Sequence, residues 1–546
     1  MTHQDQKSAA RASLNALYFS RIRHWMILLL GPTCVLYTLL TTPPALMPPE
    51  AWLMVGVTSM MALWWIFEVI PIPVTSLLPL ILLPLLGVAD IKTVSTPYAH
   101  PIIALFFGGF MIGMAMERWG LHKRIAINIM LKTGSQPAAL IGGFMIATAF
   151  LSMWVSNTAT SVMMLPIGLS VAAIISNCQT STKHSNTAGE PFTKALLLAI
   201  AYSASIGGLA TLIGTPPNAL LAAYLSETYQ RDIGFAQWMM IGLPVASIML
   251  ILTWLWLTRW GYQFNSQPYT THQNANTQAQ EKLHSSVDSD LKLNPNANVP
   301  AAYMTPPTAI HCQQEVEKLI QKQSHDLGAM NRGEKIVLLV FITTALGWMF
   351  RPFLQQYIPG LSDPLIAIVA ALCLFIIPVK FDQAGTEFVM VWEKSKDIPW
   401  GVFILFGGGL ALAAQIKATG LAQWVANYMQ HLQGVPILII ILAIVSVIVF
   451  LTELTSNTAT AAGFLPLLGA LAVSIDIDPI TLAAPAALAA SCAFMMPVAT
   501  PPNAIVFSAG KLKVFDMIRC GLVLNIVGIV VITFVGYSLI HYVFLS

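Results

Sequence analysis

Charge is what this chain has least of. Asp, Glu, Lys and Arg together make up 9% of its 546 residues, where a soluble protein carries roughly a quarter. The deficit extends over most of the chain, with 56% hydrophobic residues and a mean hydropathy of +0.71. Such a chain has lipid as its solvent. The formal net charge of +3 is too small to indicate a nucleic-acid partner. Metal and thiol patterns are equally thin. The six cysteines (Cys34, Cys178, Cys312, Cys373, Cys492, Cys520) form no CxxC or other metal spacing and read as buried free thiols. The eleven histidines contain no HExxH pair. No Ser/His pairing or paired carboxylates converge on the motifs below. The chain therefore does not read as an enzyme, and no cofactor is expected.

Apolar length is what it has instead. Runs able to cross about 30 Å of hydrocarbon lie at roughly 25–45, 51–70, 72–89, 100–118, 195–225 and 235–259. They resume at roughly 335–354, 363–380, 398–416, 481–511 and 515–543. Two further stretches, 137–176 and 436–475, are each long enough for two shorter helices and carry a polar cluster midway. A lipid-facing helix would not hold such a cluster, so both read as re-entrant hairpins. Residues 1–24 are polar and basic, and no small-residue cleavage site follows. They read as a cytoplasmic tail before an uncleaved first helix, 25–50. Segment 262–334 reads as a cytoplasmic polar linker, without ordered structure around 265–310. With the N-terminus in the cytoplasm, 23 of the 27 Lys and Arg fall inside; Lys92, Arg231, Arg351 and Lys417 fall outside. The C-terminus is then outside. A full crossing by either hairpin degrades this asymmetry.

The membrane portion repeats itself. Ser156-Asn157-Thr158-Ala159-Thr160 recurs letter for letter as Ser456-Asn457-Thr458-Ala459-Thr460. Thr215-Pro216-Pro217-Asn218-Ala219 recurs as Thr500-Pro501-Pro502-Asn503-Ala504. Phe107-Gly108-Gly109 and Gly120-Leu121 return as Phe406-Gly407-Gly408 and Gly420-Leu421. From Phe-Gly-Gly to Ser-Asn-Thr the spacing is 49 and then 50 residues; from there to Thr-Pro-Pro-Asn it is 59 and then 44, the surplus lying in the polar stretch 177–191. Five crossings per half is an odd number, so the second copy, 335–546, should sit upside down relative to the first, 51–261. Inverted repeats of this kind build secondary transporters.

The motifs suit a bilayer midplane. Two successive prolines remove two donors and clash with the preceding turn, so 195–225 and 481–511 should be broken helices. Unpaired backbone is tolerated inside a membrane only where it lines a cavity or meets a ligand. Freed carbonyls with Ser, Thr and Asn oxygens suit a small hard monovalent cation. The N-termini of the following half-helices present free N–H groups and partial positive charge, which suits an anion. None of the four motifs contains Lys or Arg.

These paired motifs, with Trp64-Trp65-Ile66-Phe67-Glu68-Val69-Ile70-Pro71-Ile72-Pro73-Val74-Thr75 and Pro399-Trp400-Gly401, resemble the divalent anion:sodium symporter family of dicarboxylate, citrate and sulfate carriers. The resemblance implies an all-α polytopic membrane protein with eleven transmembrane helices and two re-entrant hairpins. It also implies a homodimer, an elevator mechanism in which a transport domain slides against a scaffold, and a bacterial inner-membrane location. Carried over residue by residue, it implies a first sodium site at Ser152, Ser156, Asn157 and the Gly214 carbonyl. A second would use Thr452, Thr455, Asn457 and the Ala499 carbonyl. The substrate would meet Asn157, Thr158, Thr215, Pro216, Asn457, Thr458, Thr500 and Pro501. Threonine in both Ser-Asn-Thr copies resembles the carboxylate branch (succinate, malate, fumarate or citrate) more than the sulfate branch. Sodium-independent exchangers of the family are expected to carry a basic group at the site, which the motifs lack.

Three membrane-level acids remain. Glu453, between two proposed sodium ligands, either shapes that site or couples protons; Glu68 and Glu117 read as supports for scaffold loops. Phe107-Gly108-Gly109-Phe110 reads as close helix packing rather than a nucleotide loop, and 119–132 and 420–433 as interfacial amphipathic arms. A cation antiporter or an oxyanion efflux protein is the competing class.

Overall fold

The computed structural model describes residues 24–180, 190–262, 309–382, 385–429 and 434–545. The expectations for the tail 1–24 and for disorder around 265–310 fall almost wholly outside that range. In chain order the helices are α1 (His24–Leu40), α2 (Pro49–Phe67), α3 (Ile72–Thr75), α4 (Leu78–Leu85), α5 (Ile91–Ser95) and α6 (Pro101–Arg118). Then come α7 (Leu121–Thr133), α8 (Pro137–Ser152), α9 (Asn157–Thr180), α10 (Glu190–Gly208), α11 (Pro216–Tyr229) and α12 (Phe235–Leu255). The second half has α13 (Ala309–Asp326), α14 (Arg332–Leu354), α15 (Asp363–Ile376), α16 (Trp400–Ala418) and α17 (Leu421–Met429). It continues with α18 (Ile437–Thr452), α19 (Asn457–Ser474), α20 (Ile480–Ala490), α21 (Pro501–Ser508) and α22 (Val514–Val531). Among the described residues, eight helical segments are long and apolar enough to cross a membrane.

Two elements were not expected. A two-stranded antiparallel ribbon, β1 (Pro378–Asp382) with β2 (Gly385–Phe388), follows α15. It is pinned to the end of α6 by Arg118, which reaches Glu387 at 3.2 Å and the Val389 carbonyl at 3.1 Å. The other is α13, a helix at the end of the polar linker. Val316 and Ile320 are buried on it, and it packs against α7 and α9. Arg124 of α7 fixes its end, donating to the Leu327 and Gly328 carbonyls and pairing with Glu334.

The order from α6 to α12 repeats from α16 to α22, and the local causes repeat with it. Each arm, α7 and α17, follows a glycine in the left-handed region, Gly120 (φ 75°) and Gly420 (φ 79°), where a β-carbon would be strained. Each proline pair occupies the first turn of a helix, α11 or α21, where a missing N–H costs nothing and the fixed φ fits. The preceding helices stop at Gly208 and Ala490, leaving irregular links Leu209–Thr215 and Ser491–Thr500. The halves interlock: α9 and α10 pack on α21, and α11 packs on α19 and α20.

Candidate functional site

Hairpin α8–α9 turns at 153–156 and places its tip against the first link. Ser152 Oγ lies 2.5 Å from Asn157 Oδ1 and 2.7 Å from the Ala204 carbonyl of α10. The same Asn157 atom stands 3.2 Å from Ala204 O and 3.3 Å from Gly214 O. One hydroxyl hydrogen cannot serve this many acceptors. Either the amide turns so that its nitrogen donates, or a cation sits among the oxygens. Thr211 closes the link onto the hairpin, its hydroxyl donating to Met153 O at 2.6 Å. Asn218 donates from Nδ2 to the Gly208 and Thr211 carbonyls at 3.1 and 2.8 Å, holding the link curled. A β-carbon on Gly214 would stand 2.5 Å from Gly208 O, so only glycine allows this backbone approach.

The second hairpin, α18–α19, repeats the pattern. Thr452 Oγ1 lies 2.8 Å from both Asn457 Oδ1 and the Ala490 carbonyl of α20. Asn503 donates to the Ala493 and Met496 carbonyls of the second link at 3.2 and 3.0 Å. The structure thus gathers Ser152, Asn157 and Gly214 into one oxygen cluster and Thr452 and Asn457 into another. The hydroxyls of Ser156 and Thr455 are engaged locally. Ser156 Oγ accepts the Ala159 N–H at 3.2 Å, while Thr455 lies 2.6 Å from Thr460 Oγ1 and donates to Leu451 O. Ala499 lines the cavity at the end of the second link.

Between the two links lies a cavity of about 1330 Å³. Asn157, Thr158, Thr215, Pro216, Asn457, Thr458, Thr500 and Pro501 all line it, so the first residues of α9, α11, α19 and α21 converge there. Thr158 is exposed and Thr458 half-buried, and neither hydroxyl has a hydrogen-bond partner among the described residues. Thr215 and Thr500 are buried. Thr215 approaches Ser491 Oγ at 3.4 Å, tying one link to the other, and Thr500 accepts the Asn503 N–H as a helix cap. The cavity lining also carries the charged residues Glu68, Glu117, Arg118, Lys394 and Asp397. Glu68 and Glu117, read from the sequence as loop supports, therefore face the cavity; Glu68 ends α2 in the left-handed region at φ 45°.

The hairpin tips differ in cover. Trp154 packs against Phe235, Phe341 and Trp348, with centroid separations of 6.0, 4.9 and 6.4 Å. The corresponding Leu454 is 75% exposed and Val498, nearby in the lining, 81%. Sequence reasoning missed the carbonyls of Ala204 and Ala490, because a backbone oxygen has no residue-type signature. It also missed the aromatic group around Trp154, which only tertiary packing assembles.

Helices broken around a cavity that four helix N-termini reach, with eight membrane-length segments among the described residues, fit a membrane transporter. Residues 22–545 match the family described as the sodium:sulfate symporter transmembrane region, and the chain belongs to that family. It is 40% identical over 519 residues to the sodium-dependent dicarboxylate transporter SdcS of Staphylococcus saprophyticus, covering 94% of this chain and 91% of the relative. The SdcS protein of Staphylococcus aureus is 39% identical over 513 residues, covering 93% and 90%. The solved structure of the Alcanivorax borkumensis YdaH transporter covers 89% of this chain and 99% of its own, at 14% identity and a TM-score of 0.48. That likeness is too low to establish a shared fold.

Proposed function

We propose that this protein is a sodium-coupled symporter of small divalent anions, C4-dicarboxylates such as succinate, malate and fumarate, or citrate. The observation that carries the reading is the pair of matching polar clusters at the hairpin tips, Ser152–Asn157–Ala204 and Thr452–Asn457–Ala490, beside a cavity onto which four helix N-termini converge. Neutral oxygens around a helix break suit sodium, and helix N-termini suit carboxylates. The names of the relatives support dicarboxylates over sulfate. Ser152, Ser156, Asn157 and Gly214 would hold one sodium, and Thr452, Thr455, Asn457 and Ala499 the other. Bound cations then supply the positive charge that the motifs lack.

The interlocked hairpins and broken helices form the moving block of an elevator, built from inverted repeats 51–261 and 335–546 within a scheme of eleven transmembrane helices. The protein acts as a homodimer in a bacterial inner membrane, with the N-terminus cytoplasmic and the C-terminus outside. Arg118 and Lys394 of the cavity lining belong to the cytoplasmic side of the charge pattern, which supports an inward-open conformation. Trp154, Leu454 and Val498 line the same cavity, Trp154 held by aromatic neighbours and the other two exposed; Leu454 and Val498 gain cover in the opposite state.

The test is uptake of labelled succinate, citrate and sulfate into proteoliposomes under a sodium gradient, with potassium or choline as replacements. Succinate or citrate uptake that collapses without sodium is expected. Uptake supported equally by potassium, or driven by a proton gradient alone, overturns the reading; sulfate as the preferred substrate moves the protein to the sulfate branch.

A further inference from the structure

We infer that Glu453 is a fixed, fully hydrogen-bonded clamp that positions the second link, and that it makes the two cation sites unequal. The inference rests on the sodium-symport reading above. Glu453 follows Thr452 at the hairpin turn and is 3% exposed. Its Oε1 accepts the backbone N–H groups of Phe494 and Met495 at 2.6 and 2.8 Å and the Asn525 Nδ2 at 2.8 Å. Its Oε2 accepts the Met496 N–H at 2.9 Å. An ionised carboxylate is an acceptor only, with about four lone-pair positions, and here four donors approach it. The geometry therefore assigns Glu453 to holding backbone.

The reason for a clamp lies in the lengths of the links. The first has seven residues, 209–215, and closes with Thr211 and two glycines. The second has ten, 491–500, because α20 stops at Ala490, the equivalent of Ala204, whereas α10 runs on to Gly208; three consecutive, partly buried N–H groups are thereby left without helical acceptors. Each would cost free energy if left unpaired. At the matching position the first hairpin has Met153, which offers only its carbonyl. The twelfth residue of α22 is Asn525, and the twelfth of α12 is Ala246. A charged, amide-supported clamp in one half thus replaces an apolar pair in the other. The clamped run leads directly to Ala499 and Thr500, so the clamp sets where the second cation and one helix N-terminus stand.

Sodium titrations of the purified full chain in detergent, followed by thermal shift without substrate, test this alongside sodium-dependent succinate uptake in proteoliposomes. Glu453→Gln replaces an acceptor by a donor facing backbone N–H groups. It should raise the sodium concentration for half-maximal stabilisation and uptake at least tenfold, while near-wild-type uptake returns at high sodium. Asn525→Ala removes one of four donors and should shift the same curve two- to fourfold. This milder variant decides the matter if Glu453→Gln does not fold. Sodium curves unchanged in a folded Glu453→Gln protein, or in Asn525→Ala alone, overturn the clamp. Normal sodium curves with a new dependence on a proton gradient overturn it in favour of proton coupling. Failure of sodium to stabilise the wild type instead defeats the symport reading, a separate and visible result.

Discussion

At the first hairpin Trp154 lines the cavity but is held by Phe235, Phe341 and Trp348, and a short link folds on Gly208 and Gly214. At the second the tip is bare: Leu454 faces the cavity, and a longer link needs the Glu453 carboxylate to satisfy its backbone. Yet Ser152–Asn157–Ala204 and Thr452–Asn457–Ala490 have the same connectivity. The polar chemistry is duplicated while its surroundings are not. That is the expected condition of a symmetric carrier caught in one of its two states, in which equivalent parts meet different neighbours. On the proposed reading, the difference in cover between Trp154 and Leu454 changes with the state, whereas the difference between Met153 and Glu453 is fixed in the sequence.

The largest expected effect comes from erasing the first difference. Trp154→Ala should cost the proposed inward-open state about 3 kcal/mol, the lower end for truncating a packed aromatic, which is about two decades in a two-state balance. Cytoplasmic labelling of a cysteine at Leu454 should slow accordingly; an unchanged rate would mean the aromatic packing does not bias the state. Next, Thr458→Ala removes a hydroxyl facing the anion and should cost roughly 1.5–3 kcal/mol. The apparent substrate constant in uptake assays then rises by one to two decades, with the sodium dependence largely spared. Thr158→Ala, at a more exposed position, should give the same change at under a decade. Ser152→Ala against Ser156→Ala sharpens the comparison further. Ser152 links Asn157 to Ala204, so its loss should shift the sodium half-saturation by roughly a decade. Ser156 caps Ala159, so its loss should cost about 1 kcal/mol of stability and a smaller sodium shift. Equal shifts would make both serines direct ligands of similar weight.

Much of this was legible in the sequence for a physical reason. Proline pairs dictate helix breaks wherever they occur, and the breaks fall at Thr215-Pro216 and Thr500-Pro501. A five-residue duplication marks equivalent places without knowledge of packing, and both Ser-Asn-Thr copies open helices onto the cavity. What could not be read depends on backbone or on distant partners. The Ala204 and Ala490 carbonyls are chemically the same as any other carbonyl. The role of Glu453 turned on three N–H groups some forty residues away. The helix α13 was hidden within a polar segment because only Val316 and Ile320 mark its buried face.

The central claim is that two equivalent hairpin tips serve one site and are reached from opposite sides of the membrane in turn. Single cysteines at Leu454 and, separately, at Trp154 test it most directly, in a chain whose six native cysteines have been replaced. Membrane-impermeant thiol reagents would be applied from each side, with and without sodium and succinate. The account predicts that Leu454→Cys labels more readily from the cytoplasmic side and Trp154→Cys, packed in this conformation, more readily from the outside. Conditions that favour one reaction should suppress the other. Labelling of both positions from the same side in every condition would contradict the alternating carrier and leave a one-sided receptor or channel in its place.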